Sequence, residues 1–338
     1  MIRLASIISL KASILLTLVT LVLLVCGVLW QAYPSTEAVR LRNALLFEDP
    51  SPNAGNWSPA DVPEAFKREQ LQVPVRIAAV AAQIASAANG DLDLARALAA
   101  HLTEKAVWGG RVHEFEVDGI YREIVEEGRG YCADVVDAYV ALALAADLFV
   151  RTWSFSFDGF GGDGHINVEV YDRAEGRWVM LDVFNNVMAI DRVTRQPLGA
   201  HEFRARFVTD RDSVEFIPVH PGRQRIPIYS KLVDYYARGL DGWYLWNGNN
   251  VVGRSDGAVV QAAARVGEPV AEFVAVMVGS YPRIVPLATD SNGAAIARMQ
   301  RLGWGLRAAL VVGLLLTALL VIQVGVLVAG RVRRPGRR

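Results

Sequence analysis

The stretch Gly130-Tyr131-Cys132-Ala133-Asp134 decides how this chain is organised, because its cysteine stands where a loop becomes a helix. From Cys132 to Asp147, apolar residues recur at the spacing of one helical face. Asp134 falls in the first turn, where a negative charge is favourable for the helix dipole. The sequence therefore predicts a helix that presents the Cys132 thiol at its N-terminus.

Three predicted strands follow this helix. Phe149 to Phe157 is rich in β-branched and aromatic residues, and His165 to Tyr171 and Arg177 to Val183 alternate polar with apolar residues. The glycine-rich loop Gly159 to Gly164 lacks the Lys-Ser/Thr ending of a phosphate-binding loop. We therefore interpret this loop as a mobile lip beside His165.

The turn between the last two strands predicts which side chains meet. A turn centred between Arg173 and Ala174 places Asp182 directly opposite His165. It also pairs Asn167 with Met180 and Glu169 with Trp178, and it leaves Ile166, Val168, Val170, Val179, Leu181 and Val183 on the other face. Directly opposed residues have Cβ atoms about 5 Å apart on one side of the sheet. The pattern therefore predicts a carboxylate beside His165.

Cys132, His165 and Asp182 have the residue types of a nucleophile, a base and an orienting acid. A helix N-terminus and a nearby histidine both favour the nucleophilic thiolate form of a cysteine. In such a triad Asp182 would fix the imidazole tautomer of His165. The backbone N–H of Cys132 could donate to a developing oxyanion. The chemistry predicted is acyl transfer through a thioester.

Other classes of site receive less support. One alternative is a structural role for Cys132. Another is a zinc site at His165 and Glu169, but no second His or Cys follows at ligand spacing. We therefore predict neither a metal nor a cofactor. Acidic and basic residues balance at 35 each, which gives no reason to expect nucleic acid as a partner. Cys26 lies in an apolar run, so we expect Cys132 to be a free thiol.

Two uncharged segments, residues 12–36 and 308–330, match the roughly 20 residues that a helix needs to cross a bilayer. The first could instead be a cleaved signal peptide, although no small-x-small cleavage site follows it. Arg3 and Lys11 precede the first segment, and an arginine-rich tail begins at Arg331. Positive flanks stay cytoplasmic. We expect a two-pass protein of the cytoplasmic membrane, with both termini cytoplasmic and the intervening domain periplasmic or extracellular.

The predicted organisation has five parts: an N-terminal membrane anchor at 1–33, a linker with packing helices at 34–94, a catalytic core at 95–200, an accessory helical and irregular region at 201–302, and a C-terminal membrane helix with a basic cytoplasmic tail at 303–338. Beyond Asn185, Arg192 to Arg206 is basic and looks irregular, and Ile226 to Gly239 and Ala258 to Val278 are predicted helices. The aromatic loop Trp243 to Trp246 between those helices either lines a substrate cleft or lies at the membrane interface.

The residues around the three candidates resemble the transglutaminase-like core. The resemblance rests on Gly-Tyr-Cys132 at a helix start, Leu-Phe-Val-Arg151, Gly-His165-x-x-Val-Glu-Val-Tyr, and Arg-Trp-Val-Met-Leu-Asp182, and it covers about residues 95 to 190. It implies an α+β, papain-like fold in which a Cys-bearing helix packs on an antiparallel sheet. The family's Cys, His and Asp correspond to Cys132, His165 and Asp182. Asp147 stands where the family usually has glycine, and Val183 where proline is common.

The resulting expectation is a membrane-anchored cysteine enzyme that acts on amide or peptide bonds, with hydrolysis favoured over cross-linking. Its expected partners are the lipid bilayer, a peptide or protein substrate in the cell envelope, and membrane proteins of unknown identity. Tyr131, Trp108 and Gly164 are candidates for the oxyanion or substrate site. The alternative is a non-catalytic scaffold or binding module of a cell-envelope assembly, for instance one that makes polysaccharide.

Overall fold

The computed structural model describes residues 2–32, 35–105 and 109–332, which contain seven strands and eleven α-helices. The helices are α1 (Ile2–Ala32), α2 (Ser35–Leu46), α3 (Val75–Ala85), α4 (Asp91–Leu102), α5 (Val117–Arg122), α6 (Cys132–Ala145), α7 (Ala200–Thr209), α8 (Tyr229–Arg238), α9 (Ala258–Ala264), α10 (Glu268–Met277) and α11 (Gly293–Val332). The strands are β1 (Val150–Ser156), β2 (Gly164–Asp172), β3 (Arg177–Asp182), β4 (Val187–Asp191), β5 (Val214–Ile217), β6 (Trp243–Trp246) and β7 (Ile284–Pro286).

The chain divides into two units. One contains both ends of the chain, up to residue 45 and from residue 298, and the other contains residues 46–297. In the second unit all seven strands join one sheet in the order β5-β4-β3-β2-β1-β6-β7, and every neighbouring pair is antiparallel. Strands from the predicted accessory region, β5, β6 and β7, therefore extend the sheet that carries His165.

Both faces of the sheet are covered by helices. On one face, valine and leucine side chains of β2 and β3 pack against α6, with α3, α4 and α5 in the same core. The other face packs against α7 and α8 through Trp153, Phe155, Phe203 and Tyr236. The alternation of side chains along a strand sends successive residues to these two layers. The predicted combination of a Cys-bearing helix and an antiparallel sheet is confirmed.

The β2–β3 register differs from the prediction by two residues. Asp172 pairs with Arg177, so that Glu169, and not Asn167, lies opposite Met180. The turn is centred between Ala174 and Glu175, one residue later than predicted. Asp172 Oδ1 holds this turn by accepting hydrogen bonds from the backbone N–H groups of Ala174 (3.0 Å) and Glu175 (3.4 Å). A two-residue shift preserves the faces of the strands. His165 and Asp182 therefore share a face, but as diagonal neighbours.

The aromatic segment Trp243–Trp246 is not a loop. It is strand β6, paired with β1 on one side and β7 on the other, and its four side chains are buried. The prediction of a loop was therefore wrong. The sequence gives four consecutive apolar residues, which is the pattern of a strand that is covered on both faces.

Two other local predictions in this region were also wrong. The supposedly irregular basic stretch contains α7, which begins at Ala200. The single helix predicted at Ala258 to Val278 is two helices, because Gly267 adopts a positive φ of 155° between them.

Helices α1 and α11 are long and apolar enough to cross a membrane, within Ser9–Val28 and Gly293–Ala329. They belong to the same unit, and the Gln323 side chain donates a hydrogen bond to Ser13 Oγ (2.9 Å). Polar contacts of this kind between apolar helices are typical of membrane-spanning pairs. The first predicted segment lies in α1 as far as residue 32, and the second, 308–330, lies entirely in α11; both helices have sufficient length and hydrophobicity.

Candidate active site

Cys132 is the first residue of α6, with Tyr131 as the N-cap. The helix start is fixed by Asp134, whose Oδ2 accepts a hydrogen bond from the Tyr131 backbone N–H (2.8 Å). Burial raises the pKa of Asp134 to about 6, although this hydrogen bond acts in the opposite direction. The Cys132 thiol is free and partly exposed, so it lies at the entrance of the site rather than in the core.

His165 lies near the start of β2 and is buried beside Asp182. Its Nε2 atom is 2.7 Å from Asp182 Oδ2. With Nε2 directed to the carboxylate, Nδ1 is the ring nitrogen that remains for Cys132. The structure thus brings His165 and Asp182 into contact in spite of the shifted register, because the diagonal neighbours of a sheet are within reach of long side chains.

The electrostatics of His165 favour its charged form. Burial alone would lower the imidazole pKa, but the charge and hydrogen bond of Asp182, with smaller contributions from Cys132, raise the pKa of His165 to about 10. The contributions of Cys132 to the His165 pKa, through a hydrogen bond and through its charge, indicate that the thiol is within interaction range of the imidazole. At neutral pH His165 is therefore an imidazolium between a carboxylate and a thiol.

Asp182 accepts several hydrogen bonds besides that of His165. Its Oδ1 accepts from the Asn185 backbone N–H (3.0 Å), and its Oδ2 accepts from Asn185 Nδ2 (2.8 Å) and from the Tyr236 hydroxyl (2.5 Å). Burial would raise the pKa of Asp182, but His165, Tyr236 and Asn185 together hold it below its usual value. The carboxylate is therefore ionised although it is completely buried.

Helix α8 supplies two tyrosines that sequence reasoning missed. Tyr236 is fully buried, and Tyr235 contacts the His165 ring edge-on at 5.5 Å. Burial raises the pKa of Tyr235, and the charges of Asp182 and Cys132 act in the same direction, so its hydroxyl also lies near the site. The sequence could have indicated Tyr236, because Leu232 and Tyr236 are spaced i, i+4 on the buried face of the helix. A buried tyrosine hydroxyl needs a hydrogen-bond partner.

Three further predicted residues have different placements. The Tyr131 side chain is 54% exposed next to Cys132, so it can contact a bound molecule. Gly164 is required by packing, because a Cβ at this position would lie 2.2 Å from the Phe155 carbonyl oxygen. Trp108 lies outside the described residues.

Glu169, the alternative partner of a zinc-binding His165, is engaged elsewhere. It is buried against Arg151 (Nε to Oε2, 2.6 Å) and accepts a hydrogen bond from Trp153 Nε1 (2.6 Å). Within the described residues, no group of three or more His, Cys, Asp or Glu side chains could hold a metal ion. Glu169 therefore has a structural role as the partner of a buried arginine.

Residues 78–183 match the family model of the transglutaminase-like superfamily. No curated protein and no solved structure matches the chain. The matched segment extends from α3 to the end of β3 and contains Cys132, His165 and Asp182. Asn185, Tyr235 and Tyr236, which surround the carboxylate, lie beyond it.

Proposed function

We propose that this chain, which carries a transglutaminase-like core at residues 78–183, is a membrane-anchored cysteine enzyme that cleaves amide or peptide bonds. The observation that supports this most is the buried His165–Asp182 pair with the Cys132 thiol beside it. A carboxylate that holds an imidazolium next to a thiol is the arrangement that nucleophilic cysteine chemistry needs.

In the first proposed step, the Cys132 thiolate attacks the amide carbonyl carbon and forms a C–S bond. The backbone N–H of Cys132 lies in the first turn of α6, where helix geometry provides no intrahelical acceptor, and it stabilises the oxyanion. Collapse of this intermediate breaks the C–N bond, and His165 gives its proton to the departing amine. A thioester and a neutral imidazole remain.

In the second step, water attacks the thioester while His165 takes up a proton. The C–S bond then breaks, a carboxylic acid leaves, and the thiolate–imidazolium pair is restored. An amine in place of water would give cross-linking by the same sequence of steps. We propose water because it is present in any open site, whereas an amine needs a binding site of its own.

We further propose that the domain between the two membrane helices faces away from the cytoplasm. The support is the placement of Arg3 and Lys11 before the first span and of the arginine-rich tail after the second. A reporter that is active only in the cytoplasm should be active when it is fused after Arg338. Activity of a second reporter, one that works only in the periplasm, at the same position would contradict this orientation.

The decisive experiment measures alkylation of Cys132 by iodoacetamide in the full-length protein in detergent. The second thiol is removed by Cys26→Ser, and Cys132→Ala gives the background. We expect Cys132 to react at pH 6 to 7 at least about tenfold faster than an unactivated thiol, since the reactive species is the thiolate. His165→Ala should abolish this excess, whereas His113→Ala, which removes an exposed histidine, should not.

Hydrolysis can then be tested with a library of envelope peptides, in which the product amine is detected. An ordinary rate of alkylation in a folded protein, unaffected by His165→Ala, would contradict the enzymatic function. Such a result would favour the scaffold alternative, in which the core is retained for binding.

A further inference from the structure

Arg225 lies beside the candidate active site, in the segment between β5 and α8. Its backbone N–H donates to the Asn185 carbonyl oxygen (3.2 Å), and its guanidinium lies 4.1 Å from the centre of the Phe184 ring. The Phe184 ring in turn lies 6.1 Å from the ring of His165. Arg225 is thus separated from the imidazole by a single aromatic side chain.

The guanidinium also approaches the exposed entrance next to Cys132. A Cβ built at Gly109 would lie 4.0 Å from Arg225 Nη2 and 3.5 Å from the ring of Tyr131. The positive charge of Arg225 lowers the pKa of Tyr235, although burial dominates and raises it. Arg225 therefore lies among the aromatic side chains that line the approach to the thiol.

The charge of Arg225 is not compensated within the described part of the chain. No carboxylate there forms an ion pair with it, and no hydrogen-bond partner there reaches its buried Nη1 atom. Three other arginines in the same unit each pair with a carboxylate: Arg111 with Glu268, Arg129 with Glu127, and Arg254 with Asp137. A buried donor without a partner is costly, so such a group calls for an explanation such as a ligand.

We propose that Arg225 binds a carboxylate of the substrate next to the scissile amide. A guanidinium presents a planar fork of donors that matches a carboxylate, and an anion would supply both the missing hydrogen bond and the missing charge. The inference rests on the proposed function and names its substrate class: peptides with a free carboxylate close to the bond that Cys132 attacks. That carboxylate is either the C-terminal one or that of an acidic side chain.

The test uses pairs of chloroacetyl probes that alkylate Cys132 and differ only in charge. Chloroacetyl-glycine is compared with chloroacetyl-glycinamide for a terminal carboxylate. Chloroacetyl-glutamic acid α-amide is compared with chloroacetyl-glutamine amide for a side-chain carboxylate. Each rate is measured on full-length Cys26→Ser protein in detergent, and the quantity of interest is the ratio of the anionic to the neutral rate.

We expect at least one ratio to fall about tenfold in Arg225→Met and in Arg225→Gln, which is the loss of one charge-assisted hydrogen bond. The pair that responds identifies the source of the carboxylate. Arg223→Met, the same loss of charge two residues earlier in an exposed position, should change neither ratio more than twofold. Thermal melting establishes that each variant is folded.

The neutral probes keep this inference separate from the proposed function. Their His165-dependent rate reports the activation of Cys132, and dividing the anionic rate by this neutral rate removes any effect that loss of the Arg225 charge has on the thiol itself. Unchanged ratios in both Arg225 variants would overturn the carboxylate site even if the thiol is activated. Equal falls in Arg223→Met and Arg225→Met would overturn it as well, because a general positive potential would then select the anion.

Discussion

At the scale of single residues, the Asp182 carboxylate is fixed in the site by hydrogen bonds to both of its oxygens. Three donors other than His165 reach its two oxygens, and two of them come from Asn185, three residues later in the chain. Hydrogen bonds to the charged form of a carboxylate favour ionisation. The network therefore fixes the direction in which Asp182 points and keeps it charged, so that it can hold the imidazolium in place.

Tyr236 is a positioning residue in this network, and Tyr236→Phe tests that role. The variant loses a hydrogen bond to a charged group, which we expect to cost about 1.5–3 kcal/mol of stability. It should also move the acid limb of the stability profile to higher pH, because one interaction that holds the pKa of Asp182 down is gone. The measurement is the melting temperature between pH 3 and 6.

Tyr229→Phe is the matched control, since it removes a hydroxyl from the same helix that bonds to the Val214 carbonyl oxygen (3.4 Å). Its acid limb should coincide with that of the unmodified protein. An unshifted limb in Tyr236→Phe would show that Tyr236 only fills space beside Asp182.

The raised pKa of His165 predicts a second pH dependence of the stability, on the alkaline side. Its folded-state pKa of about 10 lies above the unfolded value of about 6.5. The imidazolium therefore stabilises the fold fully below pH 6.5, and this contribution is lost as the pH rises through 10. We expect the melting temperature to fall by several degrees across this window, and His165→Gln to flatten the fall. A parallel decline in both proteins would contradict the buried imidazolium.

At the scale of secondary-structure elements, the C-terminal end of α8 determines whether the tyrosines reach the site. Gly239 follows the helix with φ of −95°, so its backbone conformation is open to any residue. Its restriction is steric, because a Cβ there would lie 2.2 Å from Phe155 Cδ2. Phe155 lies on β1 next to His165, so α8 can lie this close to the sheet only with glycine at this position.

We therefore expect Gly239→Ala to move α8 away from the sheet. Overpacking of this kind costs about 1–3 kcal/mol of stability. It should also reduce the His165-dependent alkylation rate, because the Tyr236 hydroxyl would retreat from Asp182. Melting and alkylation are measured together, with Gly293→Ala as the control, where an added Cβ meets open space. Equal behaviour of the two variants would exclude this coupling.

The spacing of apolar residues in the sequence was enough to predict the helix and strands that carry the three candidate residues. Helical periodicity predicted α6 to begin at Cys132, and alternation predicted β1, β2 and β3 to within a few residues. The predicted register was wrong because the turn is centred one residue later than expected, in a conformation in which the Asp172 side chain bonds to the turn backbone. Alternation specifies which face a residue occupies, and so the contact between His165 and Asp182 survived an error of two residues.

What the sequence did not predict depends on contacts between distant segments. Strand β6 joins β1 from about ninety residues away, and its short aromatic run has no alternation to identify it. Tyr236 meets Asp182 across 54 residues, and no spacing rule connects a helix of one layer to a strand of another. Arg225 stands out because its buried Nη1 atom has no hydrogen-bond partner among residues 2–32, 35–105 and 109–332, and only the folded structure reveals this.

At the scale of the whole molecule, the ends of the chain form their own unit, in which α1 and α11 meet through Ser13 and Gln323. If α1 is retained as an anchor, cysteines at these two positions should be joined by a short bis-thiosulfonate reagent. The experiment uses membranes that contain the double-cysteine variant, in which both native cysteines are removed by Cys26→Ser and Cys132→Ala. Linkage changes the migration of the chain on a gel after proteolysis between the spans.

The matched control pairs Ser13→Cys with Leu314→Cys, an exposed position nine residues from Gln323 on α11. That pair should link much more weakly, because nine residues of helix span about 13 Å. Loss of the N-terminal segment from the mature protein would show instead that α1 is a cleaved signal peptide.

The separation of Cys132 and Tyr236 along the chain also has a consequence for the order of folding. Tyr236 follows Cys132 by 104 residues, so Cys132 is synthesised well before the helix that completes the surroundings of Asp182. The hydrogen bond from Tyr236 to Asp182 can therefore form only after α8 has been made and has docked on the sheet.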